Sequence, residues 1–348
     1  MLFSLSAHER LVLTIEGNPI HFQAVPHPNA PELAHSMESP RSVVWHLQEI
    51  SNVGGHYGLK LLLQRARGLE IENICRFVAR LRNLAGLESC DQICLTHDTA
   101  GKTIDSFPEL EFSVLMPWLS GTTWFDAHAG HPRTRNLSKW QCLHLATSFA
   151  EVLATLENQQ LSHYDLGPHS VLVDWSANAP RTELLGVEHI YGAHLPVPYA
   201  PRVLEYRHRA EKAPGLASHR FPGALLIAEI LSWHDDEIKK IFQDAESNDS
   251  LFTVDELQDV QNPKFCALLT ALRNHHSDLA ALLETAWTSA TPEQAPTMQL
   301  WVETLERVSR TKIEYAWMPP PPAPQLARQT RCWDTGLHSN LGTEEVRG

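Results

Sequence analysis

Residues 221–233, with the sequence FPGALLIAEILSW, are apolar at nearly every position. A helix with apolar side chains on all its faces must be buried on most sides. The chain must therefore place other structure around this segment. With 348 residues, it exceeds one typical domain and can bury a sizeable core as two lobes or two domains.

The composition is that of an ordinary globular protein, with 43% apolar and 20% charged residues. A formal net charge of -13 argues against nucleic acid or an anionic membrane as the main partner. No apolar run is long enough to span a bilayer. Six scattered cysteines, and a first segment that becomes charged too soon for a signal peptide, favour a reducing cytoplasm. We therefore expect a cytoplasmic protein with neither a nucleic-acid nor a membrane partner.

The first half of the chain alternates between strand and helix patterns. SVVWHLQEI (42–50) and YGLKLLL (57–63) alternate apolar and polar residues on either side of SNVGG, which predicts a hairpin. ENICRFVARLRNLAG (72–86) has apolar residues at helical spacing and ends at a glycine. FSVLMPWL (112–119) predicts a strand that leads into an extended connector.

The second half is predominantly helical. Ser138 and Gln141 fit a capping box at the start of a long helix. That helix leads into LSHYDLGPHSVLVDW (161–175), and the strand patterns VLVDW (171–175) and TELLGVE (182–188) follow. The histidine pairs His128/His131 and His275/His276 lack a third ligand close in sequence, so we predict surface positions for them. Helices continue to about residue 310, and WMPPPPAPQLARQ (317–329) favours an extended, semi-rigid linker.

This order of elements resembles the protein kinase fold over residues 35–312 or so. The shared features are a hairpin carrying one lysine, a helix, a strand with a connector, a long helix, and an H-x-D triplet before a strand. LLGVEHIYG (184–192) and PELEFSVLMPWLSGTTW (108–124) are also similar to a group of bacterial kinase-like proteins with an Asp-Val-Glu variant of the metal motif. The resemblance implies a bilobal α+β fold. Its N-terminal lobe would be residues 1–118, its helical C-terminal lobe 119–312, and its proline-rich tail 313–348.

The resemblance also assigns residues to an ATP site. Lys60 matches the lysine that holds ATP phosphates, and Met116, Pro117 and Leu119 match the connector that holds the adenine base, with Met116 at the gatekeeper position. Either Glu72 or Glu70 on the first helix could pair with Lys60, and Glu72 is the residue we assign to the cofactor site.

The catalytic loop is represented by His163, Tyr164 and Asp165. Asp165 matches the catalytic base and could either act as that base or anchor the loop through hydrogen bonds. His163 is expected to pack beneath the loop as a structural residue. Ser170 stands where a metal-binding asparagine is expected, and is either a cofactor and metal contact or a plain loop hydroxyl.

Besides Ser170, two departures from the kinase pattern bear on activity. MESPRSVVW (37–45) stands where a glycine-rich phosphate loop is expected, and Gly186 stands where the metal-binding aspartate is expected. Glu188, two residues later, is the remaining carboxylate that could reach a metal. ATP is thus the implied cofactor, while the lost side chains argue against Mg²⁺.

Two functions follow from the resemblance. The first is a pseudokinase with weak or absent phosphotransfer, which acts by binding nucleotide or an unidentified protein partner. The alternative is an active serine/threonine kinase that ligates metal through Glu188 and transfers phosphate to an unidentified protein substrate. An unrelated mixed α+β protein is the third possibility.

Overall fold

The structure is a computed structural model that describes residues 3–39, 42–50, 54–62, 68–175, 180–198, 203–243 and 250–316, with side chains to residue 310. Contacts within the chain define a compact unit of residues 1–309 and a second unit of residues 310–348. The described part of the second unit is the end of a helix that continues past residue 312 to Ala316. The remainder of the predicted proline-rich tail lies outside the described residues.

Strands are concentrated in the first third of the chain. They are β1 (Arg10–Ile15), β2 (Asn18–Ala24), β3 (Pro26–His27), β4 (Ala30–Ala34), β5 (Ser36–Ser39), β6 (Ser42–Glu49), β7 (His56–Leu62), β8 (Ile93–Cys94), β9 (Val114–Pro117), β10 (Thr122–Thr123), β11 (Leu161–His163), β12 (Val171–Asp174), β13 (Arg181–Leu184) and β14 (Ile190–Gly192).

The main sheet is antiparallel, in the order β1-β2-β6-β7-β9-β8, and β5 also pairs with β6. The predicted hairpin is confirmed by the β6–β7 pairing, in which Val44 lies opposite Lys60. On its other side, Lys60 lies opposite Val114 of β9. The lysine therefore occupies a central strand, where its backbone position is fixed from both sides.

The helices of the described residues lie between Leu69 and Ala316. They are α1 (Leu69–Val78), α2 (His97–Ser106), α3 (Trp124–His128), α4 (Pro132–Arg135), α5 (Lys139–Asn158), α6 (Arg220–Ser232), α7 (Asp236–Gln243), α8 (Pro263–His275), α9 (Ser277–Thr288) and α10 (Met298–Ala316).

The two long helices that the sequence predicted are confirmed. At the start of α5, the Ser138 side chain accepts from the Gln141 N–H and Gln141 bonds back to the Ser138 backbone. Every α6 residue from Phe221 to Ser232 is buried, and α6 contacts α5, α8 and α9. An apolar helix of this kind is stable because it is surrounded by other helices.

The first predicted helix has different bounds from those expected. α1 begins at Leu69, ends at Val78, and continues as a 3₁₀ turn over Ala79–Leu81. Gly86 follows with a φ of 76°, in the left-handed region that glycine adopts readily. Apolar spacing persists through such turns, so the pattern alone overestimated the C-terminal extent of the helix.

One histidine of each pair, His128 and His275, is buried, contrary to the surface position predicted for it. His275 is buried at the end of α8, and the side chain of His128 is 3% exposed. His128 Nε2 lies 3.4 Å from the carboxylate of Glu229, and that carboxylate accepts hydrogen bonds from the Tyr206 hydroxyl and the Trp124 indole N–H. The apolar helix thus carries one buried acid whose oxygens are bonded by residues distant in sequence.

Two hydrophobic cores organise the unit of residues 1–309. One lies against the main sheet and joins residues of β1 and β2 to residues of β6, β7 and β9. The other contains α1 and the helical part of the chain. The fold is therefore mixed α/β, with a curled sheet in the N-terminal part followed by a helical C-terminal part. In the portion of the chain that the structure describes, no helix is both long enough and apolar enough to cross a membrane.

Candidate functional site

A cavity of about 920 Å³ lies between the main sheet and the first loops of the helical part. Its walls come from β5, β6, β7 and α1, from the connector at residues 116–121, and from segments 165–172, 185–189 and 196–198. This volume is in the range of small-molecule sites. The residues assigned to the site from sequence that line it are Lys60, Met116, Pro117, Leu119, Asp165, Ser170 and Glu188.

Lys60 contacts the carboxylate of Glu188 inside this cavity. The two side chains are 13% and 24% exposed, and the residues are 128 positions apart in the sequence. Burial would raise the pKa of Glu188, but the charges of Lys60 and His189 outweigh it and hold that pKa well below its usual range. Glu188 is therefore ionised and paired with Lys60 at neutral pH.

Glu72 does not contact Lys60. It lies in the first turn of α1, contacts Arg76 one turn later, and is absent from the cavity wall. Glu70 does line the cavity, at an exposed position. The expected pairing of Lys60 with a glutamate of the first helix is thus replaced by the pairing with Glu188, which lies in the 3₁₀ turn Val187–His189.

The Asp165 carboxylate is buried, at 1% side-chain exposure. One of its oxygens, Oδ1, accepts from the Val203 N–H at 3.4 Å, and Oδ2 lies 3.6 Å from His189 Nε2. Two other segments of the chain therefore contact the carboxylate, which is almost inaccessible to solvent although Asp165 lines the cavity.

His163 lies beneath the loop that carries Asp165. It is fully buried, and its Nε2 lies 3.1 Å from the Leu185 carbonyl and 3.0 Å from the Gly186 carbonyl. Burial lowers the pKa of His163 to about 4, and the charge of His189 adds to the effect. A neutral His163 with its proton on Nε2 would donate to these carbonyls and hold the two loops together.

The residues that the kinase resemblance assigns to the metal make other contacts in this structure. Ser170 donates its hydroxyl to the Asp165 carbonyl at 3.0 Å, and Glu188 contacts Lys60. Gly186 has no side chain, and its φ of 69° lies in the left-handed region. Within the described ranges, no three His, Cys, Asp or Glu side chains are grouped so that they could hold a metal ion.

The connector forms one end of the cavity. Trp118 donates its backbone N–H to the His56 carbonyl at 3.0 Å, and its ring stacks on His46 with centroids 4.1 Å apart. His46 also lies within hydrogen-bond distance of His35 and His56. Burial, together with the charges of His56 and His35, lowers the pKa of His46 to about 4. This stack holds the connector against β6, on the face of the sheet that also carries Val44 and Lys60.

Sequence reasoning missed three residues of the site. They are His189, which faces Asp165, Val203, which bonds it, and Trp118, which stacks on the sheet. His189 could have been suspected because it directly follows Glu188. Val203 belongs to a proline-punctuated loop with no periodic pattern, so no local signal marked it.

Comparison with known proteins does not assign the chain to a family. No protein-family model matches the chain, and no curated protein matches it at a significant level.

Proposed function

We propose that residues 35–312 or so adopt a bilobal protein kinase-like fold and act as a pseudokinase, a module that binds a nucleotide-class ligand with weak or absent phosphotransfer. One observation carries this proposal. Side chains assigned to an ATP site from motifs far apart in the sequence, from Lys60 to Glu188, line one cavity. Such a convergence of polar groups in a largely apolar pocket is typical of a ligand site.

The connector supports a planar heterocycle as the ligand. Trp118 uses its N–H in the sheet, and the next residue, Leu119, lines the cavity. No described residue hydrogen-bonds the peptide groups of Leu119. Those groups are available to the edge of a base, while Val44 and Leu172 supply apolar contacts within the same cavity.

The charged groups argue against efficient phosphotransfer. Phosphoryl transfer depends on metal ions and on a correctly placed base. Gly186 supplies no ligand, Ser170 bonds the loop backbone, and Asp165 is buried against Val203 and His189. By analogy with the loss of one preorganised contact, each missing metal ligand lowers the rate by about 10²–10³-fold.

The ligand site is tested by calorimetric titration with adenosine and with ATP. Substitution Val44→Phe fills the cavity and should weaken binding of whichever ligand is detected by about tenfold or more. The matched control is Val12→Phe on β1, where the native side chain is 42% exposed and outside the cavity wall. Equal affinities for the two variants would show that the ligand binds elsewhere.

Phosphotransfer is tested with γ-labelled ATP and a generic protein substrate, using the wild type and Asp165→Ala. We expect background transfer from both proteins. Robust wild-type transfer that is abolished in Asp165→Ala would refute the pseudokinase proposal in favour of an active serine/threonine kinase.

A further inference from the structure

The wall of the cavity is acidic among the described residues. Four carboxylates line it, those of Glu70, Asp126, Asp165 and Glu188, against the permanent cations Lys60 and Arg133. Arg133 is exposed, and Asp126 caps the first turn of α3 by accepting from Thr123. Lys60 is therefore the permanent cation that lies within the cavity.

Basic and acidic side chains alternate along the base of this cavity. Lys60 contacts Glu188, whose Oε1 lies 3.9 Å from His189 Nε2, and the same nitrogen lies 3.6 Å from Asp165 Oδ2. Each charge in this row already faces an opposite or protonatable group. A ligand with several negative charges would have to separate Lys60 from Glu188 and then lie beside the released carboxylate.

We infer that this cavity takes an uncharged nucleoside in preference to a nucleoside triphosphate. The inference rests on the proposed ligand site and narrows its ligand class. A base and ribose need apolar contact and a few hydrogen bonds, which the connector, Val44 and Leu172 can supply. The triphosphate adds negative charges to a site where Glu188 already neutralises Lys60 and where the Ser170 hydroxyl is bonded to the Asp165 carbonyl.

The apolar part of the cavity wall favours an uncharged ligand. Ile71 and Ile74 of α1 face it together with Leu62 and Met116. Gln92 donates to the Met116 sulfur at 3.9 Å and accepts from the Cys75 thiol at 3.5 Å, so its polar atoms are engaged there. Apolar walls of this kind favour a ring system over a phosphate chain.

The experiment is calorimetric titration of the full chain with adenosine, with ATP in EDTA, and with ATP in Mg²⁺. In the wild type, we expect adenosine to bind at least about tenfold more tightly than ATP, with Mg²⁺ changing the ATP affinity by less than about threefold. This comparison needs no variant, so it holds even where a substitution disturbs folding.

The variant Glu188→Gln separates this inference from the metal-ligand alternative. Because it releases Lys60, it should strengthen ATP binding by about tenfold while changing adenosine affinity by less than about threefold. The control Glu32→Gln removes an equal charge at an exposed position of β4, outside the cavity wall, and should change ATP affinity by less than about threefold. Retained adenosine binding by Glu188→Gln would show that the variant is folded.

Three results would overturn the inference. Tighter binding of ATP than of adenosine in the wild type would refute it while leaving the proposed ligand site intact. Tight Mg²⁺-dependent ATP binding that is lost in Glu188→Gln would show that Glu188 ligates the metal. Failure of both ligands to bind the wild type at millimolar concentration would refute the proposed ligand site and this inference together.

Discussion

Replacing Lys60 with methionine tests the charge pair at the base of the cavity. The substitution keeps most of the side-chain volume and leaves Glu188 without its cation. Removing one partner of a buried ion pair destabilises a protein by about 3–5 kcal/mol. Because the Glu188 side chain is 24% exposed and His189 lies nearby, we expect a smaller loss of about 2–3 kcal/mol at pH 7.

The pH dependence of this loss is the more specific test. In the wild type, the pKa of Glu188 is held low, so its contribution to stability is present above the ordinary glutamate pKa of 4.5 and is lost as the pH falls. Without Lys60, burial dominates and raises the pKa of Glu188. The destabilisation of the variant should therefore be largest at pH 7 and should decrease towards pH 5.

The assay is urea unfolding followed by tryptophan fluorescence at pH 7 and pH 5. The matched control is Lys102→Met, at an exposed position of α2, and the double variant Lys60→Met/Glu188→Gln completes the cycle. The double variant should recover more than half of the stability lost by Lys60→Met. Equal stabilities of Lys60→Met and Lys102→Met at pH 7 would refute the reasoning.

Three further predictions concern stability. The pKa of His46 is lowered from 6.5 to about 4, so protonation of this residue should destabilise the fold as the pH falls through that range. We expect a loss of about 1–2 kcal/mol in the free energy of unfolding between pH 6.5 and pH 4, after allowance for solvent screening. Urea titrations of His46→Gln should show a correspondingly smaller loss of unfolding free energy over the same pH range. Gly86→Ala would place a Cβ in steric conflict with a methyl group of Val152 and should lower the free energy of unfolding by about 2–4 kcal/mol. The control Gly17→Ala also has a positive φ but has open space around the new Cβ, so it should lower the free energy of unfolding by only about 1 kcal/mol in the same measurement. Glu229→Leu leaves the buried Trp124 indole N–H and Tyr206 hydroxyl without their acceptor, and it should lower the free energy of unfolding by about 3–5 kcal/mol. A loss below about 1 kcal/mol in the same titration would contradict the structural role of this acid.

Local patterns predicted the elements whose stability depends on local residues. The capping box at Ser138, the β6–β7 hairpin and the buried helix α6 all follow from spacing and from side-chain chemistry within a few residues. Gly86 likewise marks a left-handed turn, although the helix before it ends earlier than its apolar pattern.

Pairings between distant segments could not be predicted in the same way. Lys60 meets Glu188 across 128 residues, and Asp165 meets Val203 from a loop without periodicity. Glu72 and Glu70 were both plausible partners for Lys60, because a helical pattern does not fix the rotation of a helix against a sheet. The buried acid Glu229 was hidden within an apolar segment, since its partners lie on α3 and near residue 206.

The pairing of β2 with β6 determines which length of chain is suitable for biochemical work. Phe3, Leu11 and Phe22 share one core with Leu47 and Leu59, although the resemblance to kinases begins only near residue 35. A protein trimmed at that boundary would expose the apolar face of its central strands and an unpaired strand edge. Such a fragment would tend to aggregate, and inactivity measured on it would say nothing about the cavity.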